Sequence, residues 1–117
     1  MSLPWDRKER PLLNIKEEDK ILEIGCGAGS LSFYLIQTKA TIDLIDIDER
    51  MISKLNKDFY DFSNARIYCA NAIDYDISRY NKIISNMPYY VTNSLLEKIL
   101  LEGVGLEKSV LMIQKEC

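Results

Sequence analysis

The chain contains no histidine. That removes the Ser-His and Cys-His pairs that activate nucleophiles, and it removes His-ligated metal sites; no metal is expected. Cysteine is scarce and scattered: Cys26, Cys69 and Cys117, with no C-x-x-C pair. Such an odd, dispersed set fits reduced thiols in a cytoplasmic protein, not a disulfide framework. No apolar run is long enough to span a bilayer. The first residues, Met1-Ser2-Leu3-Pro4-Trp5-Asp6-Arg7-Lys8, lack the apolar stretch of a secretory leader. A membrane partner is therefore not expected. Excess positive charge is missing too. The formal net charge is −3, whereas a self-sufficient nucleic-acid binder is usually basic. Any grip on nucleic acid is local, or is supplied from elsewhere.

What is present suffices for one domain with one core: 117 residues, 47% hydrophobic. Residues 1–15 are charged, carry Pro4 and Pro11, and show no strong period. Lys20-Ile21-Leu22-Glu23-Ile24 is a short β-compatible run, and a glycine loop follows it. Ser30 to Thr38 places Leu31, Tyr34 and Leu35 at helical spacing. Thr41 to Asp46 alternates as a second strand. Asp48 suits an N-cap for a helix with Met51, Ile52, Leu55 and Phe59 on one face. Arg66 to Cys69 reads as a third strand, residues 70–81 as a loop, and Lys82 to Ser85 as a fourth strand. Thr92 or Asn93 would cap a helix with Leu95, Leu96, Ile99 and Leu100 on one side, stopped by Gly103. Ser109 to Ile113 is a fifth strand. Strand and helix in regular alternation predict an α/β fold, a mostly parallel sheet with helices on both faces. Residues 1–117 form one unit, with no linker or internal repeat.

Two stretches carry chemistry. Glu23-x-Gly25-x-Gly27-x-Gly29 follows a strand and opens a helix. Glycines there let the backbone turn sharply and pass close to a ligand. The dinucleotide pattern G-x-G-x-x-G is not met, because Ser30 stands where its third glycine belongs. A pyrophosphate is therefore a poor fit. Asp46 ends the second strand, where a carboxylate accepts from both hydroxyls of a ribose. Asn71-Ala72 follows the third strand. Asn71 reads equally as a turn residue or as a partner for an adenine ring, offering a donor and an acceptor.

The second stretch is Asn86-Met87-Pro88-Tyr89, at the carboxyl end of the fourth strand. Open α/β sheets bind their ligands at that end. Proline cannot continue a central strand, so the chain leaves the sheet there in a fixed direction. The turn suits a base carrying an exocyclic amine. Such an amine is a weak nucleophile, because its lone pair is delocalised into the ring. The Asn86 side-chain oxygen and a backbone carbonyl at Met87 or Pro88 would accept its hydrogens and stabilise the charge developing at nitrogen. Tyr89 would stack on the base, worth about 1–3 kcal/mol. A duplex base would first have to be flipped out. Taken alone, the tetrapeptide reads equally as a proline turn with a core tyrosine. Tyr90 is as well explained by packing as by stacking.

The E-x-G-x-G-x-G loop resembles motif I of the class I S-adenosylmethionine methyltransferases. The run from Ile21 to Glu116, with I-L-E-I-G-C-G-A-G-S-L, D-L-I-D-I-D, A-N-A-I-D-Y-D, K-I-I-S-N-M-P-Y-Y-V-T-N and V-L-M-I-Q-K-E, is similar to the ribosomal RNA adenine dimethyltransferases. Its last two pieces resemble the archaeal and eukaryotic branch more than the bacterial one. The resemblance implies a Rossmann-like methyltransferase core using S-adenosyl-L-methionine, with small-subunit ribosomal RNA or a pre-ribosomal particle as partner. It implies two successive methylations of an adenosine amine. It implies cofactor contacts from Glu23, Gly25, Gly27, Gly29, Asp46, Ile47, Asn71, Ala72 and Asn86. Asn86, Pro88 and Tyr89 would hold the target adenine and carry catalysis.

Three departures qualify that picture. The family usually has aspartate where this chain has Asn71, which implies a weaker or altered cofactor contact. Residues 1–15 hold no counterpart of the family's glutamine-asparagine-phenylalanine motif. The family also continues past Gln114-Lys115-Glu116 into two more strands and a helical RNA-binding domain. On this reading the last strands and that domain are absent, and the uncovered strand 109–113 is expected to self-associate. Two other functions compete: methylation of a different amine, in DNA adenine or a glutamine side chain, and a non-catalytic cofactor-binding remnant.

Overall fold

The computed structural model describes residues 15–25, 30–85, 89–102 and 110–112. Five strands, β1 (Lys20–Ile24), β2 (Thr41–Asp46), β3 (Ala65–Cys69), β4 (Lys82–Ser85) and β5 (Val110–Met112), form one sheet in the order β3-β2-β1-β4-β5. Every pairing is parallel; Ile21 sits opposite Ile42 on one side and Lys82 on the other. Strands buried on both faces read as near-continuous apolar runs, which is why K-I-L-E-I and K-I-I-S are strands and not surface helices.

Among the described residues three helices cover the sheet: α1 (Ser30–Ile36), α2 (Glu49–Phe59) and α3 (Tyr89–Glu102). Alternate strand residues feed two cores. Ile21, Ile42, Leu44 and Ile84 pack with Leu35, Ile36, Leu55 and Phe59 of α1 and α2. Leu22, Ile24, Ile45 and Ile83 pack with Leu95 and Ile99 of α3, and with Ile77 and Tyr80 of the 70–81 connection. Helices therefore lie on both faces. The connection contains turns and no helix.

Asp48 caps α2, its carboxylate accepting from the Arg50 amide at 2.9 Å. The expected start of the last helix is corrected. α3 begins at Tyr89, so Thr92 and Asn93 lie within it and do not cap it. A proline immediately ahead of Tyr89 suits such a start, since its fixed φ is already close to helical. The expected apolar side is corrected as well. Leu95 and Ile99 are buried, but Leu100 is exposed and Lys98 is buried in its place. Four-residue spacing keeps Leu95 and Ile99 in register, while Leu100 is turned about 100° from Ile99. Gly103 and the strand ends Ser109 and Ile113 lie outside the described residues.

The topology fixes where a ligand can sit. The chain starts in the middle with β1, steps outward to β3, then crosses back to β4 on the other side of β1. The connections leaving β1 and β4 diverge, and a crevice opens at the carboxyl ends between them. Among the described residues, no helix is long and apolar enough to cross a membrane.

Candidate cofactor site at the carboxyl ends of the strands

A cavity of about 260 Å³ lies against the ends of β1, β2 and β3. Ile24 and Gly25 line it from β1, Ile45, Asp46 and Ile47 from β2, and Ala70, Asn71, Ala72 and Ile73 from the segment after β3. Gly25 has φ 72°, a left-handed conformation that β-carbon-bearing residues resist. Its amide donates to the Ile45 carbonyl at 3.0 Å, which carries the chain across the top of β2 before the loop departs.

Asp46 stands at the cavity edge. Its Oδ1 accepts from the Asp48 amide at 2.9 Å. The Ala70 amide donates to the Asp46 carbonyl at 3.0 Å and fixes the next wall. Asn71 Oδ1 accepts from the Ile73 amide at 3.0 Å, a local turn that presents Ile73 to the cavity. Ile47 is 67% exposed and Ile73 39%, although both are large and apolar. A flat apolar ring between them would remove that surface from water. The buried Lys98 reaches from α3 and donates to the Ile73 carbonyl at 2.5 Å, tying the wall to the helix.

Glu23 takes a different position. It is fully buried on the α1 face of the sheet and is not part of the cavity lining. Its Oε1 accepts from the Ser32 hydroxyl at 2.6 Å, which bridges β1 to α1 across the glycine loop. Burial pushes its carboxyl up to about 8; the Ser32 hydrogen bond opposes this and the nearby Asp46 charge adds to it. Near neutral pH it is a protonated acid.

The structure thus brings Gly25, Asp46, Ile47, Asn71 and Ala72 to one cavity. Gly27, Gly29, Asn86 and Pro88 lie outside the described residues, and Tyr89 is placed only as the first residue of α3. β4 nevertheless delivers the chain to this end of the sheet. Ser85 pairs with Ile24, itself a cavity residue. The Ser85 hydroxyl is buried with no hydrogen-bond partner among the described residues. Sequence reasoning missed Ile24, Ile45, Ala70 and Ile73. The first two are core residues whose ends alone reach the cavity, and Ile73 depends on the Asn71 turn. Among the described residues there is no group of three or more His, Cys, Asp or Glu that could hold a metal.

An apolar cavity with a carboxylate and an amide in its lining has the polar groups and the size for a nucleoside. Gly25 leaves room for the chain to wrap the rest of a larger ligand. The donor set therefore fits the adenosine half of S-adenosylmethionine.

Known proteins bear on this geometry. The profile of the family described as "Ribosomal RNA adenine dimethylase" matches residues 12–117. A ribosomal RNA small subunit methyltransferase A from Fusobacterium nucleatum is 32% identical over 107 residues, covering 88% of this chain and 40% of the relative. The crystal structure of a dimethyladenosine transferase from Plasmodium falciparum superposes with a TM-score of 0.76 at 30% identity, over 87% of this chain and 38% of that one. An RNA methyltransferase from Salinibacter ruber, solved with S-adenosyl-L-homocysteine, shares the fold with a TM-score of 0.70 at 18% identity, over 79% of this chain and 63% of that one. The present chain spans about two fifths of the length of the first two relatives. Its fold is that of the Rossmann-like class I methyltransferases, and the chain belongs to the ribosomal RNA adenine dimethylase family.

Proposed function

We propose that the chain is the cofactor-binding core of an enzyme that dimethylates the exocyclic amine of adenosines in small-subunit ribosomal RNA. The observation that carries the reading is the cavity at the carboxyl ends of β1, β2 and β3, with Asp46, Asn71 and two exposed isoleucines around it. S-adenosylmethionine, when bound, supplies an electrophilic methyl group. The residues of this chain bind and orient. Asp46 accepts from the ribose hydroxyls, and Ile47 and Ile73 enclose the adenine. Asn86 and a carbonyl at Met87 or Pro88 accept from the target amine, and Tyr89 stacks on its ring. Holding the amine in line with the methyl group supplies much of the rate. No strong base is required, because the methylated ammonium loses its proton readily.

The test is a titration with S-adenosylmethionine followed by methyl transfer to a small-subunit RNA fragment, duplex DNA and a glutamine peptide. Saturable binding with methylation of the RNA alone is expected. Absence of saturable binding by the folded chain would sink the reading. Transfer to DNA or peptide would move it to another amine, and binding without any transfer would leave a non-catalytic core.

Asn71 offers a sharper check. Its Oδ1 already accepts from the Ile73 amide, while Nδ2, a donor, has no partner among the described residues. An adenine amine needs an acceptor there. Asn71→Asp keeps the turn and supplies a charged acceptor. It should tighten S-adenosylmethionine binding by about 3–10-fold, the worth of one charge-assisted hydrogen bond. Calorimetric titration measures it, and weaker binding would mean that Asn71 meets the ring through its donor.

A further inference from the structure

The opposite pole of the sheet holds a second cavity, of about 380 Å³. Lys20, Thr41, Ser63, Arg66 and Arg79 line it, at or before the amino ends of β1 to β4. A strand of five or six residues, at ~3.3 Å per residue, separates the two poles by about 15–20 Å.

Behind two residues of its lining, Arg66 and Tyr80, lies Asp43, which is 0% exposed. Arg66 donates to it through Nε and Nη2 at 2.9 and 3.3 Å. The Tyr80 hydroxyl donates to Oδ2 at 2.5 Å. Burial and the Asp43 carboxylate hold the Tyr80 phenol well above its ordinary value, so it stays a neutral donor. Arg79 Nη2 lies 3.9 Å from the same Oδ2. Its Nε donates to the Tyr80 hydroxyl at 3.1 Å and its Nη2 to the Tyr75 hydroxyl at 2.5 Å. Its guanidinium also lies 5.3 and 5.0 Å from the centres of the two tyrosine rings.

Neutralising Asp43 needs one guanidinium, and Arg66 already supplies it in a two-point contact. Arg79 adds a second cation beside the first, an arrangement that repulsion disfavours. Two tyrosine rings and three polar contacts nevertheless fix it in place. Arg66 and Arg79 are 56% and 50% exposed, and the Nη1 of each has no partner among the described residues. The Lys20 ammonium on the same cavity has none either. Three cations line the cavity and one buried carboxylate lies behind it, a local surplus of two in a chain whose net charge is −3. Cations held rigid on one edge and open on the other are preorganised for an oxyanion. The hydroxyls of Thr41 and Ser63 add neutral donors. Arg79 lies over one face of each tyrosine ring, where a base would otherwise stack. The site suits a backbone phosphodiester better than a nucleotide.

We propose that this amino-end cavity docks a phosphate of the RNA substrate, away from the methyl-transfer pole. The proposal rests on the reading of the substrate as RNA. It is tested on the full chain with the double variant Lys20→Gln/Arg79→Gln, which keeps the Arg66–Asp43 contact. Fluorescence anisotropy with a labelled single-stranded small-subunit RNA fragment should show about tenfold weaker binding at low salt. The slope of log affinity against log salt should fall by about 0.7, the worth of one phosphate contact on a single strand. Affinity for S-adenosylmethionine should not change. Should the double variant not fold, Lys20→Gln alone removes a side chain whose ammonium has no partner among the described residues and should cost about threefold. Unchanged RNA affinity and slope overturn the site alone. So does inorganic phosphate that perturbs the cavity resonances while both proteins bind RNA equally well. A wild-type chain that binds S-adenosylmethionine but no RNA overturns both the site and the RNA reading.

Discussion

Replacing Glu23 with glutamine should stabilise the protein at pH 8 and leave it nearly unchanged at pH 4.5. Glu23 is fully buried between β1 and α1, and burial pushes its carboxyl from 4.5 to about 8. The folded state therefore holds a proton that the unfolded chain releases across this window. An unfolded state that binds fewer protons makes stability fall as pH rises. Below pH 4.5 both states are protonated and the contribution is flat. Above about pH 8 both are ionised and the penalty is constant. At roughly 1.4 kcal/mol per pH unit, the wild type should lose on the order of 3–5 kcal/mol between these limits. Glutamine keeps an oxygen to accept from Ser32 and carries no charge, so the variant should lose little of this. Urea midpoints of both proteins at pH 5 and pH 8 measure the effect. Equal wild-type midpoints at the two pH values would show that Glu23 is not a buried neutral acid. Cofactor affinity of the same variant tests its place on the list of expected cofactor contacts. A side chain that ties strand to helix beneath the loop should leave affinity within about threefold of wild type, since glutamine keeps the acceptor for Ser32.

That burial also shows where sequence reasoning stops. The strands β1, β2 and β4 and the Asp48 cap are legible because their signals are local: an apolar run, or an oxygen two residues before the amide it accepts from. The cavity residues Gly25, Asp46 and Asn71 are legible for a related reason, since the carboxyl end of a parallel strand is a fixed address in the fold. The buried charges are not. T-I-D-L-I-D alternates as though Asp43 faced water, yet it is buried by Tyr80, 37 residues on, and by Arg66. Lys82 is buried against Asp19, which lies 63 residues earlier. Nothing near either residue in sequence announces the partner. α3 starts at Tyr89 and not after Thr92 or Asn93, and its buried stripe takes Lys98 over Leu100 because a distant carbonyl, that of Ile73, receives the ammonium. The second cavity was illegible for the same reason. Its cations are spread from Lys20 to Arg79 and become neighbours only when the amino ends of the strands align.

Asp46→Ala should weaken S-adenosylmethionine binding by about 100-fold or more, the worth of two hydrogen bonds to a charged acceptor at ~1.5–3 kcal/mol each. The carboxylate is already divided between two tasks. Oδ1 accepts from the Asp48 amide and shapes the turn into α2, while Oδ2 has no partner among the described residues. Oδ2 is the atom available to a ribose diol at the cavity edge. Alanine removes both contacts, so part of its effect would come from the turn. Asp46→Asn separates them. Its Oδ1 still accepts from Asp48, so the fold and the urea midpoint should be kept to within ~0.5 kcal/mol. Its Nδ2 replaces the acceptor by a donor, so at most one hydroxyl remains satisfied, without the charge. Binding should then fall by about tenfold, between wild type and alanine. Calorimetric titration of the three proteins gives the order. If asparagine and alanine both bind as wild type does, Asp46 does not meet the ribose and the cavity is not the nucleoside site. If asparagine binds as weakly as alanine at full stability, the acceptor role of Oδ2 accounts for the whole contact, and the turn contributes none of it.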